Sequence, residues 1–440
     1  MKLHWARYTA KAAALVAVAT ALSLPVPAGG PGESGYDLRE IFVPQTSELS
    51  QPNHPLGATG AFDISPDGKT LAVEFGTREP DKRITDWVAL WDIESQRLIA
   101  TKEVEHDEPK QLYYGLKSRP PVPGPILWQT KDIRFSPDGR ELLVLTGPSL
   151  VGLSFPELKV LYSFEDRVGP VTEQTLYRHM FVEGFAMAAN RLAILEQISH
   201  NSPKCCSLKV KIADLHTGKL VADWTRPGLS HSIALSPDAS LLALTNNPAP
   251  WGVGAIPPEA NNILILNANS GDIVRAFNSG SAAGNAQFVG GDTALITMPI
   301  YSDFEPGDAA KLWNLKTGQL EQKLGYPKYG LRGGISLSAN GELLAVAAFW
   351  LNPTDVRLDR DKPRGGSRLL LWTLPNGKLV YASERLGQEY DFGGLPMNLA
   401  WGSMTPPILV RMSASGDRIA VGGGLISVYS VEAVHARPDK

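Results

Sequence analysis

The two cysteines of the chain are neighbours, Cys205 and Cys206. Adjacent α-carbons lie about 3.8 Å apart, short of the usual disulfide span, so a bridge between them would be strained. A vicinal disulfide, a pair linked to a partner and two inert thiols all stay open, although free thiols would be unusual in an exported chain. None of the histidines sits at metal-ligand spacing from another. His54, His106, His179, His200 and His231 read as isolated loop residues, solvated or locally satisfied. Two acidic stretches offer oxygen ligands: Asp355, Asp359 and Asp361, and Asp303, Glu305 and Asp308. Neither has calcium-loop spacing, and Arg357, Arg360 and Lys362 interleave the first, so ion pairs are expected there. The G-x-S-x-G and H-E-x-x-H patterns of hydrolases and zinc proteases do not occur. No catalytic residue, metal site or cofactor is assigned.

What the sequence offers instead is recognition chemistry. Tyr113, Arg119, Trp128, Trp251, Tyr301, Trp350, Arg357, Tyr390 and Trp401 all fall in long polar insertions. Aromatic residues and Arg dominate binding hot spots, so these nine are taken as the partner-binding set. Any one of them could instead pack a loop onto the body beneath it. As a set they point to a protein or peptide partner.

The elements that must position them repeat. Phe62-Asp63-Ile64-Ser65 alternates and then turns at Pro66-Asp67-Gly68, where Pro presets φ and Gly takes the left-handed region. Leu71 to Phe75, Trp87 to Ile93 and Arg97 to Thr101 follow as further short strands. These four strands, a to d, form one antiparallel meander. The unit recurs from Ile133, Phe185, Ile233, Ala286, Ile335 and Leu409, with the third and fifth copies the most degenerate. Gly68, Gly139, Gly341 and Gly416 are expected at positive φ in the a–b turns.

The last copy stops after strand c, because 432–440 is short and polar. A lone strand at 38–43 has no hairpin partner and is written like a strand d. An all-β ring is the consequence: a seven-bladed β-propeller of four-stranded antiparallel blades, in which the N-terminal strand completes the last blade and leaves no open sheet.

Leu90-Trp91-Asp92, Ala213-Asp214, Leu312-Trp313-Asn314 and Leu371-Trp372-Thr373 end successive c strands, and Ser-Pro-Asp turns start at Ser65, Ser136 and Ser236. On these residues the chain resembles the bacterial exported WD40-type (YVTN-like) β-propeller repeat proteins over nearly all of its length. The Gly-His pair of eukaryotic repeats is missing, and one copy keeps the full Trp-Asp dipeptide. The resemblance implies a binding scaffold without fixing its ligand.

In such a meander the a–b and c–d turns share one end of the blade, and they are tight here. The insertions 76–86, 105–131, 165–184, 197–209, 246–262, 298–309, 349–368 and 387–407 fall at the other end. One face of the disc is therefore smooth and the other elaborated, and insertions gathered on one face mark a binding side.

Lys2, Arg7 and Lys11 precede an apolar run from Ala12 to Leu24 and the small residues around Ala28. This reads as a signal peptide over 1–28, then a propeller over 29–435 and a polar tail over 436–440. The expected location is the periplasm or the exterior of a bacterium. No later segment is apolar enough to span a membrane, and a net charge of −3 implies no general attraction to nucleic acid. A monomeric, non-catalytic scaffold is the expected function. The alternative is a propeller enzyme of lactonase or quinoprotein kind, with its site at the central channel mouth.

Overall fold

In a computed structural model of the chain, the described residues are 36–44, 56–78, 84–104, 132–146, 149–165, 180–199, 206–228, 230–246, 261–280, 283–299, 310–325, 334–351, 365–383, 409–422 and 426–433. Their regular structure is all strand. β1 (Tyr36–Phe42) is not paired with the strand next to it in sequence. Blade 1 is β2 (Leu56–Ile64), β3 (Thr70–Arg78), β4 (Ile84–Asp92) and β5 (Arg97–Val104). Blade 2 is β6 (Asp132–Phe135), β7 (Glu141–Leu145), β8 (Ser149–Ser154) and β9 (Val160–Glu165). Blade 3 is β10 (Met180–Ala188), β11 (Arg191–Ser199), β12 (Cys206–Asp214) and β13 (Leu220–Pro227). Blade 4 is β14 (Ser230–Leu235), β15 (Leu241–Asn246), β16 (Ile263–Asn267) and β17 (Ile273–Phe277). Blade 5 is β18 (Ala283–Val289), β19 (Ala294–Pro299), β20 (Ala310–Asn314) and β21 (Leu320–Leu324). Blade 6 is β22 (Ile335–Leu337), β23 (Leu343–Leu351), β24 (Gly365–Thr373) and β25 (Lys378–Ala382). Blade 7 is β26 (Leu409–Met412), β27 (Arg418–Gly422) and β28 (Ile426–Ala433), completed by β1. The chain is a seven-bladed β-propeller.

Closure matches the expectation from the lone strand. β1 pairs antiparallel with β28 from Tyr36↔Ala433 to Phe42↔Val428. Hydrophobic clusters then fill every junction between neighbouring blades, including the seam. Phe42, Phe62, Trp91, Ala420 and Val428 pack between blades 7 and 1, and Leu38, Leu371, Val410 and Val431 between blades 6 and 7. A blade buries each face against a neighbour, which is why strands b and c are apolar on both faces rather than alternating. β7 is buried at all five positions.

The a–b turns owe their regularity to a serine that does more than open the turn. Ser65 Oγ donates to Asp67 and accepts the Thr70 amide at 2.9 Å. Ser136, Ser236, Ser338 and Ser413 repeat the arrangement with the amides of Glu141, Leu241, Leu343 and Arg418. Gly68, Gly139, Gly341 and Gly416 lie at φ of 72°, 70°, 70° and 80°, as the turns require. The Asp of the Trp-Asp pair has an equally local task. Asp92 Oδ1 accepts the Ser95 amide, and Asp214 and Asn314 cap the c–d turns of blades 3 and 5 in the same way.

Several expected insertions prove to be paired strand. β3 and β4 stay in register to Arg78↔Ile84, β11 and β12 to Ser199↔Cys206, and β23 and β24 to Leu351↔Gly365. β10 likewise begins inside the span read as an insertion. In β3 and β11 the backbone ladder persists past the point where side-chain apolarity stops signalling a strand, while β23 stays apolar through Leu351.

Candidate interaction faces and the inner wall

First strands of neighbouring blades approach one another: β2 meets β6 and β26, β14 meets β10 and β18, and β22 meets β18 and β26. They form the inner wall, and fourth strands form the outer rim. The a–b and c–d turns occupy one end of the disc. Near the axis these turns bond to each other across blades: Ala339 N–H donates to Ala414 O at 2.8 Å, and Ala414 N–H to Pro66 O at 3.1 Å. The longest connections, 105–131, 166–179, 247–262, 352–364 and 384–408, all leave from the opposite end.

Of the nine sequence-predicted binding residues, Tyr113, Arg119, Trp128, Trp251, Tyr301, Arg357, Tyr390 and Trp401 lie outside the described residues. So do both acidic stretches, Cys205, His54, His106, His179 and His200. Trp350 corrects its assignment to a loop: it belongs to β23, opposite Gly366. His231 is likewise a strand residue, in β14, and Cys206 opens β12.

The inner wall carries polar chemistry the sequence reading missed. An innermost strand has a free edge, and its amides need partners. Side chains of the preceding blade supply several. Ser232 Oγ accepts the Ala286 amide, Ser336 Oγ the Met412 amide, and Asp63 Oδ2 the Phe135 amide at 2.8 Å. At Asp63 this role is filled by a charge, and a charged cluster surrounds it. Arg411 of β26 reaches Asp132 of β6 with Nη2 at 2.7 Å from Oδ1, passing Asp63 with Nε 3.8 Å from its Oδ1. Arg134 binds the other Asp132 oxygen at 2.8 Å and lies 5.5 Å from the centroid of the Phe185 ring of blade 3. Arg411 is only 9% exposed. Burial pushes the Asp63 carboxyl up to about 6, against the opposing pull of Arg411 and its amide bond. Burial acts on Asp132 too, but Arg134 and Arg411 outweigh it and hold that carboxyl below the usual range.

A second cluster ties blades 2 and 3 at the smooth end. The buried Glu141 of β7 receives the Tyr162 hydroxyl at 2.9 Å and meets His216 Nδ1 at 2.9 Å. Burial, then the Glu141 charge, pushes the Tyr162 phenol above its usual value. His216 Nε2 faces Asp138 at 3.8 Å. The isolated sequence position of His216 gave no sign of these partners, because they come from the neighbouring blade.

The rim has its own pattern. In blades 1 to 6 a β-bulge near the start of the fourth strand sets two of its residues against one of the third strand. In blades 2, 3 and 4 both bulge residues are apolar and exposed: Val160 and Leu161, Leu220 and Val221, Ile273 and Val274. Among the described residues no group of three or more His, Cys, Asp or Glu is placed to hold a metal, and no helix is long and apolar enough to cross a membrane.

Closed ring, stapled seam and one smooth end define the class, a closed seven-bladed β-propeller. No protein-family model and no curated protein matches the chain. A chain in the crystal structure of the mitotic checkpoint complex matches with a TM-score of 0.52 at 12% identity, over 93% of this chain and 97% of that one. In all, 902 chains of solved structures match, so the likeness identifies a widely shared architecture and carries no ligand with it.

Proposed function

We propose that this chain is an exported, non-catalytic scaffold of the bacterial WD40 type, which captures a protein or peptide partner through the face from which its insertions leave. The observation that supports the reading is the asymmetry of the disc. The described turns at one end are short, and those of blades 6, 7 and 1 bond to one another, while the long connections, with their Trp, Tyr and Arg content, depart from the other. The described charges of the inner wall are engaged with each other in holding blades together, which favours a scaffold over an enzyme at the channel mouth. The checkpoint-complex neighbour comes from a protein assembly, in keeping with a partner-binding use of the fold. A periplasmic or secreted location is proposed from the 1–28 segment.

The test begins with capture of a partner from the exported fraction, using the chain without residues 1–28. Titration calorimetry on folded variants then decides the face. Trp128→Ala, Trp251→Ala and Trp401→Ala should weaken binding by about 2 kcal/mol or more where the residue is an anchor. Thr217→Ala and Thr317→Ala, in c–d turns at the smooth end, should leave affinity unchanged. Equal loss from both sets, or loss only from the threonines, rejects the assignment.

A further inference from the structure

We propose that Arg411, Asp63 and Asp132 form an acid-responsive clasp at the seam of the ring, in which proton uptake by Asp63 removes a buried, under-compensated charge and so stabilises the closed ring. The geometry places it where the chain closes. Arg411 lies on the first strand of the last blade, Asp63 on that of blade 1 and Asp132 on that of blade 2. One guanidinium thus spans the seam, from blade 7 past blade 1 to blade 2, across a sequence separation of 279 residues. The β1–β28 pairing staples the outer rim of blade 7, and this cluster fastens its inner edge.

The two carboxylates share their cations unequally. Asp132 takes short bonds from Arg134 and Arg411, at 2.8 Å and 2.7 Å, and bonds its own neighbour's amide, Ile133, at 3.0 Å. Asp63 is left with the Phe135 amide and a 3.8 Å approach to Arg411. Other charges around it are few. β6 contributes Asp132 and Arg134, and β26 contributes Arg411. β3 pairs Ala72 opposite Asp63 and carries Glu74, whose carboxylate accepts the Ala61 amide. The charge on β27, Arg418, lies against the Gly68 turn. Asp63 therefore bears the desolvation cost of a buried anion without full compensation, in line with its elevated pKa of about 6.

A folded pKa above the ordinary carboxylate value has a definite sign. Between about pH 4 and 6 the folded state holds more protons than the unfolded one, so this group's contribution to stability falls as pH rises through that window. Asp132, with its lowered pKa, contributes in the opposite sense at lower pH. The range from pH 5 to 7.5 isolates Asp63 from it.

The test compares the intact protein with Asp63→Asn, whose side-chain oxygen can still accept the Phe135 amide. Urea unfolding is measured at steps from pH 7.5 to 5. The expected result is an unfolding constant of the native protein that drops by about tenfold relative to the variant over that range. Exchange of core amides that open only in global unfolding, corrected for the intrinsic rate, should slow in parallel in the native protein alone. Parallel stability profiles for the two proteins would overturn the proposal. Arg411→Gln supplies a second reading: where it folds, the pH-dependent step should move to higher pH, and a step that stays in place counts against the clasp.

Discussion

Removal of β1 tests the architecture most directly, because one short strand serves two junctions. Leu38 sits in the cluster between blades 6 and 7, and Phe42 in the cluster between blades 7 and 1. Truncating a buried Leu costs about 2–5 kcal/mol and a buried Phe about 3–5 kcal/mol. Deleting 36–42 removes both and also exposes the edge of β28. It further removes the carbonyl of Ile41, which accepts the Gln96 side-chain amide of blade 1 at 2.9 Å. The apolar terms alone reach about 5–10 kcal/mol, comparable with the whole stability of an ordinary domain, about 5–15 kcal/mol. The deleted protein should therefore be largely unfolded, or melt far below the intact one, by circular dichroism. Phe42→Ala and Leu38→Ala should each lower the urea-derived stability within the ranges above. Arg39→Ala, exposed on the same strand, should change it by no more than about 0.5 kcal/mol. A deletion variant melting within a degree or two of the intact protein would refute the reasoning.

Three smaller perturbations probe the turns and the blade 2–3 staple. Gly139→Val should destabilise by about 1 kcal/mol or more. A Cβ there meets Pro66 Cδ at an ordinary 3.5 Å, so the cost is in the backbone at φ 70°, and a variant with unchanged urea midpoint would contradict it. Ser136→Ala strands the Glu141 amide, which its Oγ accepts at 2.9 Å, and should cost about 1–3 kcal/mol in the same assay. Tyr162→Phe takes a hydroxyl donor from the buried Glu141 carboxylate. It too should lower stability by about 1–3 kcal/mol, and its effect should be non-additive with His216→Ala in a double-mutant cycle, because both side chains serve Glu141.

Strand type, blade number and ring closure were legible because their signals are local and repeated. Alternation, the Ser-Pro-Asp-Gly turns and a final copy lacking its fourth strand lie within stretches short enough to read in the chain. The degenerate third and fifth copies still form full blades, because their b and c strands keep the apolar residues that both junctions need. The extent of the b–c hairpins was not legible. Beyond Phe75 and Leu195 the strands continue on backbone hydrogen bonds that no side-chain pattern announces, whereas β23 runs on through the apolar Ala348, Phe349, Trp350 and Leu351, a signal that does not separate a longer strand from an aromatic insertion.

The polar clusters were invisible for a different reason. Arg411, Asp63 and Asp132, like Glu141, Tyr162 and His216, carry no mutual spacing in the sequence. Each group is assembled only when neighbouring blades meet, and for Arg411 only when the ring returns to its start. The sequence determined where the blades would begin and how many there would be, since those depend on patterns among near neighbours along the chain. Only the closed ring decided which buried charges face each other, because that depends on contacts between residues as distant in sequence as the two ends of the propeller.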